Sequence, residues 1–228
     1  MARNLYISDL HLGHKNVLHY DNRPFLNIED HDKYIINAWN ETVNDDDTVY
    51  ILGDMIWAKE QNWKEILSQL KGHKVLIRGN HDPHQFSART KAYFDDIKDY
   101  KEVKDNGRNV VLSHYPIVCF NRHYYGEYHL YGHVHTSFEY GMMLHNRRLM
   151  EDLYDKPCNM YNVGAMLDYI DYRPRTLDEI IEGFKQHNHL EQKDKFNDEM
   201  HEPKNVCLLC RAPISLNETF CEKCKNKT

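Results

Sequence analysis

The chain has 228 residues, 41% of them hydrophobic, and a net charge of −6 with histidine neutral. That length and composition suit one full domain with its own core plus a small appendage. They exclude a membrane-spanning protein, since no apolar run approaches the roughly 18 residues needed, and a molecule that attracts a nucleic-acid backbone by bulk charge.

Met1-Ala2-Arg3-Asn4 leads straight into an apolar run, leaving no room for a signal peptide, so a cytoplasmic protein with no membrane partner is expected. Leu5-Tyr6-Ile7 predicts a strand that ends in Ser8-Asp9-Leu10-His11. A polar loop follows, with His14, Lys15, Asn16 and then Asp21-Asn22-Arg23-Pro24-Phe25, stiffened by its proline. Asn27 caps a helix with Asp30 three residues on, and Ile35, Ile36, Trp39 and Val43 fall on one helical face. Asn44-Asp45-Asp46-Asp47 breaks it and feeds a second strand, Val49-Tyr50-Ile51-Leu52, which runs into Gly53-Asp54. A helix over Trp63 to Leu70 is predicted next, with Gly72 as its stop. Val75-Leu76-Ile77 then delivers Arg78-Gly79-Asn80-His81-Asp82. Strand, helix, strand, helix, strand is the alternation of an α/β domain.

From about Val103 the pattern becomes strands without long helices between them. Val110-Val111-Leu112 ends in Ser113-His114, Tyr128-His129-Leu130-Tyr131 ends in Gly132-His133-Val134-His135, and Met160 to Val163 reads as a further strand. Asn121 to Glu127 is a tyrosine-rich loop, and Gly141 to Tyr154 carries no pattern that assigns it an element. Thr176 and Glu179 form a capping box for a helix with Leu177, Ile180, Ile181 and Phe184 inward. The main domain is expected to end there, at 1–184, with residues 185–205 a polar linker.

Five apolar runs thus each deliver an oxygen or nitrogen ligand type at the carboxyl end, the edge where sheets of α/β proteins carry their sites. Each alone is an ordinary turn sequence; the ordered set is what carries weight. Asp9, His11, Asp54, Asn80, His114, His133 and His135 offer carboxylate, amide and imidazole donors without a thiolate. Such a set suits two divalent transition-metal ions, Mn, Fe, Co, Ni or Zn, rather than soft Cu(I). Seven donors exceed what one ion with an open position needs. Two ions roughly 3.5 to 4 Å apart are the arrangement that clamps attacking and leaving oxygens in phosphoryl displacement.

Ser-Asp-Leu-His, Leu-Gly-Asp, Gly-Asn-His-Asp, Ser-His-Tyr-Pro and Gly-His-Val-His, in this order from Asp9 through His135 to about Phe184, resemble the motifs of calcineurin-like metallophosphoesterases. Asn162-Val163-Gly164 followed by Arg173-Pro174 resembles the end of small bacterial and phage-type members. The resemblance implies a two-sheet β-sandwich flanked by helices around a binuclear centre. Asp9, His11 and His135 would hold the first metal, Asn80, His114 and His133 the second, with Asp54 bridging and His81 the catalytic histidine. It implies hydrolysis of a phosphodiester or phosphomonoester by in-line attack of a hydroxide shared by the two ions. One departure is Trp57, which stands where phosphoprotein phosphatases of the family place an aspartate that orients the histidine. His14, Asn16 and Arg23 are candidate contacts to a substrate phosphate. Arg122, Tyr124, Tyr125 and Tyr128 are candidates either for stacking a nucleotide-like substrate or for packing.

Six cysteines are present, and Cys207-Leu208-Leu209-Cys210 and Cys221-Glu222-Lys223-Cys224 form two knuckles separated by ten residues. Four thiolates suit a tetrahedral structural Zn²⁺, which predicts a zinc ribbon over 206–228 that folds rather than catalyses. Cys119 and Cys158 read as buried or half-buried thiols. From Pro203 to Thr228 there are five Lys or Arg against two Glu, a formal +3. Zn²⁺ with four thiolates offsets about two of these charges, so a contact to nucleic acid or to protein is open. A phosphoesterase is the first reading; a nuclease gripping nucleic acid through the ribbon, or a non-catalytic scaffold with a vestigial site, are the alternatives.

Overall fold

The computed structural model describes residues 2–195, the side chains of 188–195 excepted. Two four-stranded sheets with helices around them make up the compact unit Met1–His187. The first sheet is parallel throughout, in the order β1 (Asn4–Ile7), β2 (Thr48–Ile51), β3 (His73–Ile77) and β4 (Asp96–Lys98). The second runs β5 (Tyr100–Asp105), β6 (Arg108–Ser113), β7 (Tyr128–Tyr131) and β8 (Asn159–Asn162), antiparallel at β5–β6 and parallel beyond. The hairpin between β5 and β6 turns on Asn106 and Gly107, both at positive φ, as a two-residue Asn-Gly turn requires.

All four strands of the first sheet and three of the second, β6, β7 and β8, therefore run parallel to their neighbours, so within each sheet their carboxyl ends lie at one edge. Beyond those edges the sheets meet. Ser8 N–H donates to the Val163 carbonyl at 2.9 Å and Ala165 N–H to the Ser8 carbonyl at 2.9 Å, which joins the extension of β8 to that of β1.

Core packing explains the strand pattern. Leu5, Ile7, Val49, Ile51, Leu76 and Ile77 share one buried cluster with Val110, Leu112, Leu130 and Tyr161, so the two sheets face a common core. Period-2 alternation sends Val111, Tyr131 and Met160 to the other face, where they meet Phe120, Val134, Met150 and Cys158.

Helices cover both layers. Short α1 (Val17–Tyr20) follows the first site loop, and α2 (Ile28–Thr42) begins at Asn27, whose side chain accepts from Asp30 N–H. Ile35 and Trp39 of α2 are buried in the common core, as are Trp63 and Leu67 of α3 (Trp63–Leu67), and Gly72 at φ +79 ends that segment. After α4 (Ala88–Lys91), the stretch expected to lack long helices holds α5 (Phe138–Tyr154). The last helix, α6 (Leu177–Lys195), starts with the predicted box: Thr176 N–H donates to Glu179 Oε2 at 2.8 Å and Glu179 N–H to Thr176 Oγ1 at 3.3 Å. It continues helical past Phe184 into the segment expected to be a linker. Cys207, Cys210, Cys221 and Cys224, the structural zinc they would bind, and the linker beyond Lys195 lie outside the described residues. Cys158 is buried as expected, whereas Cys119 is exposed, because it sits in the loop after β6 rather than in the sheet.

Candidate metal centre

Every strand end singled out from the sequence opens at the shared rim. Asp9 and His11 follow β1, Asp54 follows β2, Asn80 and His81 follow β3, His114 follows β6, and His133 and His135 follow β7. Main-chain bonds lace these turns together: Asp9 N–H to the Gly53 carbonyl at 3.0 Å, His11 N–H to the Asp54 carbonyl at 3.0 Å, and Gly132 N–H to the His114 carbonyl at 2.9 Å. Glycine is required where they press closest. A Cβ on Gly79 would collide with the Asp54 carboxylate, and one on Gly132 with Ser8 Oγ and Asp9 Oδ2.

The seven donors converge in two groups. In one, His11 Nε2 and His135 Nε2 are 3.3 Å apart and His135 Nε2 is 3.5 Å from Asp9 Oδ1. In the other, His114 Nε2 lies 3.0 Å from Asn80 Oδ1 and 3.2 Å from His133 Nδ1. Asp54 Oδ2 stands between them, 3.8 Å from His11 Nε2 and 3.6 Å from His114 Nε2. Asp9 also reaches toward both, since its ligand atoms group with His11 and His135 and again with Asp54 and His114, all within 4.8 Å.

These separations fit cations. Ligand atoms bound to one ion at about 2.0–2.2 Å lie about 3.0–3.6 Å from one another. Such a set brings imidazole nitrogens and two buried carboxylates together, a concentration of donors that a bound cation would satisfy.

The surroundings fix which nitrogen faces inward. His114 Nδ1–H donates to the Leu52 carbonyl at 2.7 Å, leaving the Nε2 lone pair toward Asn80 and Asp54. His135 Nδ1–H donates to Asp21 Oδ1 at 2.7 Å, freeing Nε2 toward His11 and Asp9. A carboxylate behind a ligating histidine is the usual device for holding tautomer and ring plane. Asp21 is itself clamped by Arg23, at 2.9 Å from Nε and 2.8 Å from Nη2. Asp9 accepts from Ser8 Oγ–H and from His133 N–H, the latter at 3.1 and 3.2 Å. Asp54 Oδ1 accepts His81 N–H at 2.9 Å, which leaves Oδ2 for the two groups.

Charge follows geometry. Burial alone would lift the Asp9 carboxyl, but His135, His114 and His11 hold it well below the usual carboxylate range. Burial keeps His11 neutral, pushed down to about 3, which is the ligand form. Burial also opposes a charge on His135, yet Asp21 and Asp9 outweigh it and raise the imidazole to about 10. A site that holds a proton so tightly between two carboxylates is one where a cation can replace it. Burial raises Asp54, and nearby Asp9 adds to the effect.

Backbone strain concentrates here. Asp9, His11, Asp54, His133 and His135 all sit at positive φ, between 46° and 69°. Left-handed non-glycine residues are uncommon, and five in one cluster mark a functional constraint.

The outer candidates divide. His14 is buried, its ring stacked on Trp57 with centroids 3.9 Å apart and its Nδ1 3.3 Å from His11 Nδ1. Asn16 is exposed at the start of α1. Arg23, expected at a substrate phosphate, turns inward: its side chain is 0% exposed. All five of its N–H donors are taken, by Asp21 twice, the Leu10 and Asp9 carbonyls, and His31 Nε2, so none is left for a ligand. In the tyrosine-rich loop, Tyr124 packs on Tyr154 and Lys156, while Tyr125 is exposed with the Arg122 guanidinium over its ring at 5.8 Å. Tyr128 is half-buried in β7 beneath Arg108.

Two clefts border the donors and share Asn80. One of about 590 Å³ is lined by Arg78, Tyr100, His114, Tyr115 and Ile117; the other, about 510 Å³, by Ile56, Trp57, Lys59 and His81. No helix among the described residues is long and apolar enough to cross a membrane.

No family model matches the chain. It is 33% identical over 184 residues to the uncharacterized protein MJ1445 of Methanocaldococcus jannaschii, covering 78% of this chain and 90% of the relative. It is 30% identical over 177 residues to the gene 66 protein of Mycobacterium phage L5, covering 65% of this chain and 85% of that one. Among solved structures, a protein of unknown function, AQ665 from Aquifex aeolicus, superposes with a TM-score of 0.60 at 26% identity, over 80% of this chain and 99% of that one. The chain therefore belongs to the family that includes MJ1445 of Methanocaldococcus jannaschii and the gene 66 protein of mycobacteriophage L5.

Proposed function

We propose that the protein is a calcineurin-like metallophosphoesterase that hydrolyses a phosphodiester or phosphomonoester at a centre for two divalent transition-metal ions. The observation that carries this reading is the pair of donor groups joined through Asp54 Oδ2, His11 at 3.8 Å on one side and His114 at 3.6 Å on the other. Asp9, His11 and His135 would hold one ion, and Asn80, His114 and His133 the second. Bound there, such ions supply Lewis-acid stabilisation of phosphoryl oxygens and a nucleophilic water at neutral pH.

The remaining work falls to the chain's own groups. The Asp54 and Asp9 carboxylates fix the donor groups against one another. His81, on the turn beside Asn80, has its side chain 43% exposed at the mouth of the site and its Nε2 4.0 Å from Asp54 Oδ2. That placement lets it give a proton to a departing ester oxygen, the part of a general acid. The clefts on either side of Asn80 have room for the organic part of the ester, and their tyrosine and tryptophan walls suit a planar group.

Hydrolysis of bis(p-nitrophenyl) phosphate and p-nitrophenyl phosphate by metal-stripped protein with Mn²⁺ returned tests the reading. Wild type is expected to turn over at least one of them, Asp54→Asn to lose about 10²-fold or more, and His81→Ala to lose turnover while keeping its Mn²⁺. Equal rates in wild type and Asp54→Asn would overturn it.

A further inference from the structure

His81 is the catalytic candidate with the least visible support. Among the described residues its imidazole makes no hydrogen bond to protein, and Asp54 Oδ2 at 4.0 Å is too far for one. Its sequence neighbour Asp82 cannot orient it. The Asp82 carboxylate is buried and turned away, accepting the N–H groups of Asp54 at 3.0 Å, Met55 at 3.1 Å and Gly79 at 2.8 Å. The ring nearest the imidazole is the Trp57 indole, with centroids 4.6 Å apart and planes inclined by 60°; the His11 ring is farther, at 5.9 Å.

We propose that Trp57 is the positioning residue of His81, holding the imidazole by shape at the position where the related phosphoprotein phosphatases have an orienting carboxylate. This rests on the phosphoesterase reading above. An indole can do so only if it is itself fixed, and Trp57 is fixed on three sides. Its main-chain N–H donates to the Leu12 carbonyl at 2.7 Å, within the short pairing of Leu12 with Ile56. Its carbonyl packs against Gly13, where an added Cβ would come within 3.2 Å. One face of its ring is covered by His14, nearly parallel at 9° and 3.9 Å away. His14 in turn meets His11 through the two Nδ1 atoms at 3.3 Å. The result is a group of rings bent around His11, His14 stacked on Trp57 and Trp57 against His81, anchored in the donor cluster through His14 and presenting the imidazole to the cleft lined by Ile56, Trp57 and Lys59. This gives the buried His14 a part it could not play as a substrate contact.

Trp57 is 42% exposed, so replacing it leaves the core intact. In the full-length, Mn²⁺-loaded protein, Trp57→Ala is expected to lower kcat about 10- to 100-fold with KM within a few-fold, the scale of a misplaced reacting group. Trp57→Phe should restore most of that loss, while Trp57→Leu, which keeps bulk but no ring face, should not. In a His81→Ala background Trp57→Ala should cost nothing further, since a positioning residue acts only through the group it positions. A readout independent of turnover is the proton–carbon spectrum of the metal-free protein with labelled histidine. The His81 ring signals, identified by their loss in His81→Ala, should carry a ring-current shift that vanishes in Trp57→Ala and survives in Trp57→Phe. A raised KM with unchanged kcat would make Trp57 a wall of the binding cleft and overturn the proposal, as would additive losses in the double variant or His81 signals indifferent to Trp57. A protein that hydrolyses neither ester would defeat the phosphoesterase reading alone, because the ring-current comparison still decides the positioning.

Discussion

Whether His135 can bind a cation depends on a residue 114 positions away. Its Nε2 lone pair faces the cluster only while Nδ1–H is given to Asp21, and Asp21 holds its pose only because Arg23 grips its other oxygen. Asp21→Asn is therefore expected to weaken Mn²⁺ binding about 10- to 100-fold, the usual cost of losing a partner behind a ligating histidine. Titration calorimetry on the metal-free variant checks this, and wild-type affinity would contradict it. Asp21 was invisible in the sequence for a physical reason. Asp21-Asn22-Arg23-Pro24 has the composition of any polar turn, and only folding brings it behind a histidine from the far end of the domain. The same holds for Arg23, whose place soon after the first ligands and bidentate guanidinium suggest a phosphate contact, although burial commits all its donors to protein. The seven donors were legible because each follows an apolar strand, and strand order plus parallel pairing forces such residues to one rim.

Among the elements, β7 shows how a buried histidine can serve structure rather than chemistry. His129 is fully buried: its Nδ1–H donates to the Val111 carbonyl at 3.1 Å and its Nε2 accepts Ile117 N–H at 3.0 Å. Both nitrogens are used by the neutral ring, and burial pushes the imidazole down to about 4. The unfolded chain then takes up a proton near pH 6.5 that the folded one refuses until near 4. This histidine's contribution to stability is complete above about pH 6.5 and is lost as pH falls toward 4, by at most about 3 kcal/mol. Urea unfolding at pH 7 and 4.5 is expected to show a smaller acid loss in His129→Gln, whose amide can make both bonds without titrating. An identical loss in both proteins would contradict that role. The elements the sequence hid share a cause. In α5 only Met150 is fully buried, while Phe138, Met142, Leu149 and Leu153 face outward, so apolar residues lie all round the helix and no single-faced period emerges. Strand β4 has only three residues, none fully buried, too little for a period-2 signal. By contrast α2 and α6 announced themselves through caps and one-sided stripes that the packing uses as written.

At the scale of the molecule, an acidic chain places two carboxylates, four imidazoles and an amide on turns from both sheets, where the turns could not pack this closely without positive φ and glycine. No one strand or helix makes the site; it exists only where the carboxyl ends of β1, β2 and β3 face those of β6 and β7. That is also why its composition alone, with sixteen histidines in the chain, pointed nowhere, and order along the chain pointed somewhere. The proposed chemistry needs two ions at this rim, close enough to share Asp54. Electron paramagnetic resonance of the metal-stripped protein titrated with Mn²⁺ measures this directly, and Mn²⁺ has little affinity for the cysteine-rich tail. The spectrum should become that of an exchange-coupled Mn²⁺ pair as two equivalents are bound, and Asp54→Asn should abolish the coupling. Saturation at one equivalent, or two ions with no coupling between them, would contradict a shared two-ion centre.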